Sequence, residues 1–188
     1  MITQSRNDMD RLLADSFKEL ASRQPVEKIT IKEITDKAGV IRPTFYNHFQ
    51  DKFELIEWII DRELLEPIQP LITNGMISEA MVLLFTNIQK EKPFYTHLQK
   101  MDGPVRFHDI AQKCVYSLLL DIIQEQMTGK QPPYRWLTPE VIATYYAQSM
   151  CFVTEEWIRA GMTVPPREMA EAYQYIITRS MTEVIREL

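Results

Sequence analysis

The scarcity of glycine constrains the fold of this chain more than any other feature. The 188 residues contain only five glycines, and long segments between them lack both glycine and proline. These two residues make the tight turns of β proteins and interrupt helices. We therefore expect an all-α fold, and the spacing of apolar residues divides the chain into about nine helices.

The first two helices are predicted from local signals. In the segment 7–23, apolar residues recur on one helical face, and Pro25 follows shortly after. Thr30 and Glu33 have the spacing of a capping box, in which a hydroxyl and a carboxylate satisfy amides at a helix start. A second, short helix is therefore expected after Thr30, and Gly39 supplies the left-handed residue that ends it.

A third short helix is expected from about Arg42 to His48, because Pro43 suits a first helical turn. Asp51 is a suitable cap for a longer helix that ends or kinks near Pro67 or Pro70. The remaining expected helices cover 78–90, 93–100, 105–127, 138–160 and 167–188.

Two short helices joined by a turn that contains glycine form a helix-turn-helix unit. Its expected apolar core consists of Leu13, Phe17, Ile34, Ala38, Val40, Phe45 and Phe49. The outward side chains of the third helix are then Arg42, Thr44, Tyr46, Asn47 and His48. Such short donors and acceptors suit phosphate oxygens and base edges. The alternative is an ordinary solvated helix packed with aromatics.

Charge and composition limit the partner and the compartment. A net charge of −5 argues against nucleic-acid binding. Up to Lys52, however, the chain contains nine Lys and Arg and eight Asp and Glu, a balance that permits a local basic face there. No apolar run reaches a signal peptide or the ~18–20 residues of a membrane span. Two cysteines far apart in sequence favour a reducing compartment. We expect a cytoplasmic protein that does not bind a membrane.

The segment ITIKEITDKAGVIRPTFYNHFQDKFELI resembles the DNA-binding signature of TetR-type (TetR/AcrR) bacterial transcriptional regulators. The likeness covers about 45 residues, and its order and spacing are specific. It implies that the third helix enters the major groove of double-stranded DNA. By resemblance, the DNA-facing residues are Arg42, Thr44, Tyr46 and Asn47, and the phosphate-binding residues are Thr30, His48 and Lys52. It also implies a three-helix DNA-binding domain at 1–50 and a helical regulatory and dimerisation domain at 51–188.

Three positions depart from that family pattern, and the basic N-terminal arm is also short. The family usually has Ser or Thr where Ile41 stands, and loss of that capping hydroxyl costs about 0.5–2 kcal/mol. Pro43 replaces a common glycine and fixes the first turn, and Thr35 replaces a common alanine where space is limited. Arg6 is the only clear basic residue of a short N-terminal arm. These departures put the affinity for DNA in question more than the fold.

The stretches KEKPFYTHL and EEWIRAGMTVPPREMA resemble one subgroup of the family, which includes activators of dihydroxyacetone kinase operons (DhaS-like proteins). That resemblance implies either a small molecule or a protein co-regulator as the signal. In the family, the last two helices form a four-helix interface between two subunits, so a homodimer would read a palindromic operator. The corresponding residues are Ile142, Tyr145, Tyr146, Ser149, Phe152, Val153, Ala172, Tyr175, Ile176 and Met181. Plain intramolecular core is the alternative.

A ligand pocket, if one forms, is expected among residues 85–157, because Met and aromatic linings suit apolar ligands. The candidates are Phe85, Phe94, Tyr95, Leu98, Met101, Phe107, Tyr116, Met150 and Trp157. Ordinary core packing also explains such residues at helical spacing. No metal or other cofactor is expected, since His97, His108, Cys114 and Cys151 lack the spacing of ligands that share a helix face.

The leading hypothesis is thus a dimeric TetR-type regulator. An enzyme is not expected, because the sequence lacks a Ser-His-Asp order, HExxH, a P-loop and a glycine-rich nucleotide loop. The alternative is an acidic, all-α adaptor that binds only protein. The operator sequence, the inducer and the sign of regulation do not follow from the sequence.

Overall fold

A computed structural model describes residues 2–187, with side chains from Arg6 onward. Within that range the chain forms ten helices and one 3-10 turn at Val26–Lys28, and no strand. The helices are α1 (Ile2–Ala21), α2 (Ile31–Ala38), α3 (Arg42–Tyr46), α4 (Lys52–Ile59, Ile60–Leu65 and Glu66–Thr73, continuous), α5 (Ile77–Lys90), α6 (Lys92–Leu98), α7 (Phe107–Met127), α8 (Pro139–Arg159), α9 (Pro166–Thr178) and α10 (Met181–Glu187). The predicted all-α class is confirmed.

The first three helices enclose the small apolar core expected for a helix-turn-helix unit. Of the seven expected core residues, Leu13, Phe17, Ile34, Phe45 and Phe49 are buried, whereas Ala38 and Val40 are half-buried. Asp51 caps α4 by accepting hydrogen bonds from the amides of Phe53 and Glu54 at 2.7 and 2.9 Å. The α4 helix therefore starts where the sequence predicted, directly after the helix-turn-helix unit.

Pro67 does not end α4, because a π-helical segment precedes it and the helix continues beyond it. The segment Ile60–Leu65 is π-helical, and the amide of Glu66 bonds to the carbonyl five residues earlier. Proline has no amide hydrogen and crowds the carbonyl four residues before it. That carbonyl belongs to Glu63, and the side-chain amide of Asn87 donates to it at 3.4 Å. The helix thus passes the proline and continues to Thr73.

The C-terminal helices form the larger part of one continuous apolar core. In this part, α7 packs along α8, and α9 packs along α5. The helix-turn-helix unit rests on it through α1 and α6, where the rings of Phe17 and Phe94 meet edge to face at 6.0 Å. Beside them Lys18 donates to Glu63 at 2.8 Å, and this pair lies largely inside the protein. The helix α1 is therefore in direct contact with both α4 and α6.

The prediction of one final helix over 167–188 is wrong. Arg179 is extended (φ −115°, ψ 149°), which separates α9 from α10. Ser180 then starts α10 with a capping box: its hydroxyl accepts from the amide of Glu183 at 3.3 Å, and the Glu183 carboxylate accepts from the amide of Ser180 at 2.7 Å. Within residues 2–187 no helix has the length and hydropathy needed to span a membrane.

Candidate DNA-binding and regulatory sites

The start of α2 is held by the predicted capping box. The hydroxyl of Thr30 accepts from the amide of Glu33 at 3.2 Å, and the Glu33 carboxylate accepts from the amide of Thr30 at 2.8 Å. Hydrogen bonds from the Thr30 amide and hydroxyl lower the pKa of Glu33. At the other end, Gly39 is left-handed (φ 70°), which favours glycine. These two ends fix the angle at which the chain enters α3.

The α3 helix is shorter than predicted, because it spans Arg42–Tyr46 instead of 42–48. Asn47 is its C-terminal cap. Ile41 is the N-cap, is 70% exposed and makes no side-chain capping bond, as the departure from the family pattern predicted. The first turn of α3 therefore relies on Pro43 for its conformation.

The outward face of α3 carries polar and aromatic groups. Arg42, Tyr46 and Asn47 are exposed and Thr44 is half-buried, whereas Phe45 is fully buried beneath them. The Arg42 guanidinium lies 6.0 Å from the centre of the Tyr46 ring and donates to its hydroxyl at 3.3 Å. This contact holds both side chains extended along the helix surface, where a cation and a hydroxyl are presented together.

His48 and Lys52 have internal partners that the sequence did not reveal. The Nδ1 of His48 lies 2.6 Å from the Oδ1 of Asp10, which ties the turn after α3 to α1. The Nζ of Lys52 donates to the carbonyls of Val26, Glu27 and Ile29 at 2.7, 3.1 and 2.9 Å. Burial lowers the pKa of Lys52. All three ammonium hydrogens are used within the protein, so a phosphate would have to replace one of these carbonyls.

The predicted pocket residues do not line a single cavity. Tyr95, Phe107 and Met150 line an interior apolar cavity of about 40 Å³, together with side chains from α4 and α5. Phe85 and Trp157 pack against each other edge to face at 5.1 Å. This cavity is far smaller than the ~300–1,000 Å³ of typical small-molecule sites.

The other four predicted pocket residues have separate positions. Phe94 packs on α1 and Leu98 is fully buried in the core, whereas Met101 and Tyr116 face two different surface clefts. The sequence also missed Glu155, which lines the cavity. Its helical spacing from the buried Cys151 and Ile158 was the available signal for an inward-facing carboxylate.

The two cysteines and the histidines are not arranged as a metal site. Both thiols are buried, and burial raises the pKa of Cys151 to about 12. His97 contacts the carbonyl of Pro93, and His108 contacts Glu155. Across the described residues no group of three His, Cys, Asp or Glu side chains is positioned to hold a metal ion.

The ten residues predicted for the dimer interface lie on α8, α9 and α10, and one of them, Val153, packs against the core. Tyr145, Tyr146, Phe152, Ala172, Ile176 and Met181 are exposed, and Ile142, Ser149, Val153 and Tyr175 are half-buried. The inner face of α8 is instead built from Ala143, Ala147 and Cys151, which are buried. Intramolecular core therefore does not account for these six exposed side chains, most of which are apolar.

Comparison with known proteins identifies the family. The family described as "Bacterial regulatory proteins, tetR family" matches residues 15–59, and the family described as "Transcriptional regulator C-terminal region" matches residues 76–179. The chain belongs to the TetR family. Both matched parts are those of transcriptional regulators, so this TetR-family chain is a transcriptional regulator with an N-terminal helix-turn-helix and a C-terminal regulatory region.

Among its relatives, this TetR-family protein is 25% identical over 177 residues to the HTH-type dhaKLM operon transcriptional activator DhaS of Lactococcus lactis subsp. lactis (strain IL1403). That match covers 93% of this chain and 89% of DhaS. A solved structure of the dihydroxyacetone kinase operon activator DhaS superposes with a TM-score of 0.63 at 23% identity, covering 90% of this chain and 94% of that one.

The fold is also shared with NalD, the secondary repressor of the MexAB-OprM multidrug efflux pump in Pseudomonas aeruginosa. The TM-score is 0.64 at 16% identity, and the superposition covers 93% of this chain and 96% of NalD. The fold is therefore shared with proteins described as an activator and as a repressor.

Proposed function

We propose that this TetR-family regulator binds a palindromic operator as a homodimer, with α3 of each subunit in the major groove. The observation that carries this proposal is the pairing of two exposed surfaces on one protomer. One is the polar face of α3, and the other is the apolar face of α8 to α10. A two-fold dimer through the second surface would present the first surface twice, one helical turn of DNA apart.

On the first surface, we assign direct DNA contacts to Arg42, Thr44, Tyr46 and Asn47. A guanidinium, hydroxyls and an amide are groups that read base edges or hold phosphates. We assign phosphate contacts to Thr30 and Lys52, at the starts of α2 and α4, and to His48, which follows the end of α3. The internal bonds of His48 and Lys52 mean that their assignment depends on exchange of partners on binding.

The test measures binding of a fluorescent duplex from upstream of the protein's own gene by anisotropy. Arg42→Ala and Tyr46→Ala should each weaken binding by about 5- to 150-fold, which corresponds to the 1–3 kcal/mol of a base contact. The control is Arg23→Ala, which removes an exposed arginine that follows α1 and pairs with Glu19. Binding by the wild type should also fall steeply with salt.

Two results would contradict the assignment. Arg42→Ala and Tyr46→Ala could bind as tightly as the Arg23→Ala control, which would place DNA elsewhere. No binding by the wild type at low salt would favour an adaptor that binds only protein, a function with which the net charge of −5 agrees.

The C-terminal domain, residues 51–188, is proposed to receive the signal and to form the dimer, whereas residues 1–50 bind DNA. We place the protein in the cytoplasm because its operator lies on bacterial DNA. The similarity to DhaS, a transcriptional activator of the dhaKLM operon, supports a role in operon control. The signal is then either a small molecule or a protein co-regulator that acts on α4, since α4 joins the two domains.

A further inference from the structure

The interior cavity and a surface cleft share two walls. The cleft has a volume of about 350 Å³ and is bordered by Gln99, Met101 and His108, among others. Phe107 and Glu155 border both the cleft and the 40 Å³ cavity. The side chains of Phe107 and Glu155 therefore form the boundary between the cleft and the interior cavity.

Two buried polar atoms at this boundary lack partners. Among the described side chains, Gln99 Oε1 and Thr154 Oγ1 are buried without a hydrogen bond. Other threonines in helices form a hydrogen bond within their own helix: the hydroxyls of Thr86 and Thr144 donate to the carbonyls four residues earlier at 2.6 and 2.7 Å. An unpaired buried polar atom is costly, on the order of 1–3 kcal/mol. Thr154 borders the cavity, and its hydroxyl, unlike those of Thr86 and Thr144, has no hydrogen bond to a helix carbonyl.

Besides the unpaired Gln99 Oε1 and Thr154 Oγ1, the carboxylate of Glu155 can also accept hydrogen bonds at this boundary, and Glu155 is only 8% exposed. Its Oε1 lies 2.7 Å from His108 Nδ1, a close contact that positions the group. Its Oε2 receives a hydrogen bond from Gln99 Nε2 at 3.5 Å, the long limit for such a bond. An ionised carboxylate accepts about four hydrogen bonds. Glu155 therefore retains capacity for further donors on the side that faces Gln99.

We propose that this boundary binds a small effector with a polar head group and a compact apolar body. The head group is a primary ammonium or a hydroxyl, which donates hydrogen bonds. The donors satisfy Glu155, Gln99 Oε1 and Thr154, and the body lies in the cleft against Met101 and Phe107. The inner cavity admits only a short apolar arm. The arginines that border the cleft, Arg106 and Arg159, are already paired with Asp109 and Glu156. An anionic head would therefore meet the buried Glu155 carboxylate without a free cation to offset it. This inference rests on the proposed regulatory function of the C-terminal domain and names the chemistry of its signal.

Four probes with the same ring test the head group. Benzylamine and benzyl alcohol carry donors, toluene carries none, and benzoate carries a negative charge. At about 0.5 kcal/mol per non-hydrogen atom, benzylamine should bind with a Kd on the order of 1 mM. Titration calorimetry or ligand-observed NMR with the full chain should show saturable binding of the first two probes only.

Three variants locate the site. Glu155→Gln should weaken benzylamine about tenfold and benzyl alcohol less than twofold, because only the ammonium gains from the charge. Thr154→Val has the same shape without the hydroxyl and should weaken both. Thr144→Val, on the same helix but with its hydroxyl bonded to the carbonyl of Glu140, is the matched control and should change neither. Thermal unfolding of each variant checks that it is folded.

The outcomes separate this inference from the DNA-binding proposal. Equal binding of toluene or benzoate, binding unaffected by Glu155→Gln and Thr154→Val, or no binding of benzylamine and benzyl alcohol at about 10 mM would each overturn it. Operator binding is measured without any probe, so it is independent of these results. A protein that binds its operator but no probe contradicts only the effector class.

Discussion

The substitution Phe152→Ala tests the dimer face most quantitatively. Phe152 lies in the middle of α8 and is 63% exposed on one protomer. A phenylalanine offers about 200 Å² of surface, so a partner subunit would cover about 120 Å² of this side chain. At about 25 cal/mol per Å², and with the Cβ retained by alanine, the loss is about 2–2.5 kcal/mol per protomer. A two-fold interface contains the residue twice, so the dimer loses about 4–5 kcal/mol.

That loss corresponds to roughly a 10³- to 10⁴-fold weaker dimer. Sedimentation equilibrium over a range of protein concentrations measures the dissociation constant directly, and circular dichroism confirms that the helices persist. Tyr134→Ala is the matched control, because Tyr134 is 71% exposed but lies in the loop between α7 and α8, outside the ten predicted interface residues. An unchanged dissociation constant for Phe152→Ala, or an equal loss for Tyr134→Ala, would refute the assignment of the interface.

Three further substitutions test the helix-turn-helix unit by urea unfolding followed by circular dichroism. Thr30→Ala removes the capping box of α2 and should reduce the free energy of unfolding by about 0.5–2 kcal/mol; no reduction would mean that the box contributes nothing. Ile41→Ser restores a capping hydroxyl to α3 and should raise the same quantity by about 0.5–2 kcal/mol, with tighter operator binding; a loss of stability would contradict this reading of the cap. Lys52→Met leaves three carbonyls without their donor and should reduce the free energy of unfolding by about 1.5–3 kcal/mol. Lys28 is exposed on the turn that Lys52 contacts, so Lys28→Met should change this free energy little. Equal effects of the two lysine substitutions would contradict the internal role of Lys52.

Local rules predicted the features that depend on a few neighbouring residues. The capping box at Thr30, the left-handed Gly39 and the cap at Asp51 each follow from residues within one helical turn, and all three are confirmed. The break between α9 and α10 obeys the same rule through Ser180, but the apolar periodicity continued across it. A capping signal inside a periodic stretch therefore marks the start of a new helix even where the apolar spacing continues.

Features that depend on distant residues could not be predicted in the same way. The π-helical segment before Pro67 is accommodated by Asn87 from another helix, and Lys52 caps a turn more than twenty residues away. Periodicity indicated that Phe85 and Trp157 face inward, but not that they fill the interior against each other instead of lining a cavity. Sequence patterns identify the inner face of a helix, whereas the space left between helices is decided by packing.

The central claim is that two copies of α3, held by a dimer, read an operator. Hydroxyl-radical footprinting on the upstream DNA tests it most directly, with wild type, Arg42→Ala and Phe152→Ala at equal concentrations. We predict two protected half-sites about 10 base pairs apart, or a multiple of that, for the wild type. Both variants should lose this protection at concentrations where the wild type is saturated. A single protected site, or protection by Arg42→Ala equal to that of the wild type, would contradict the account.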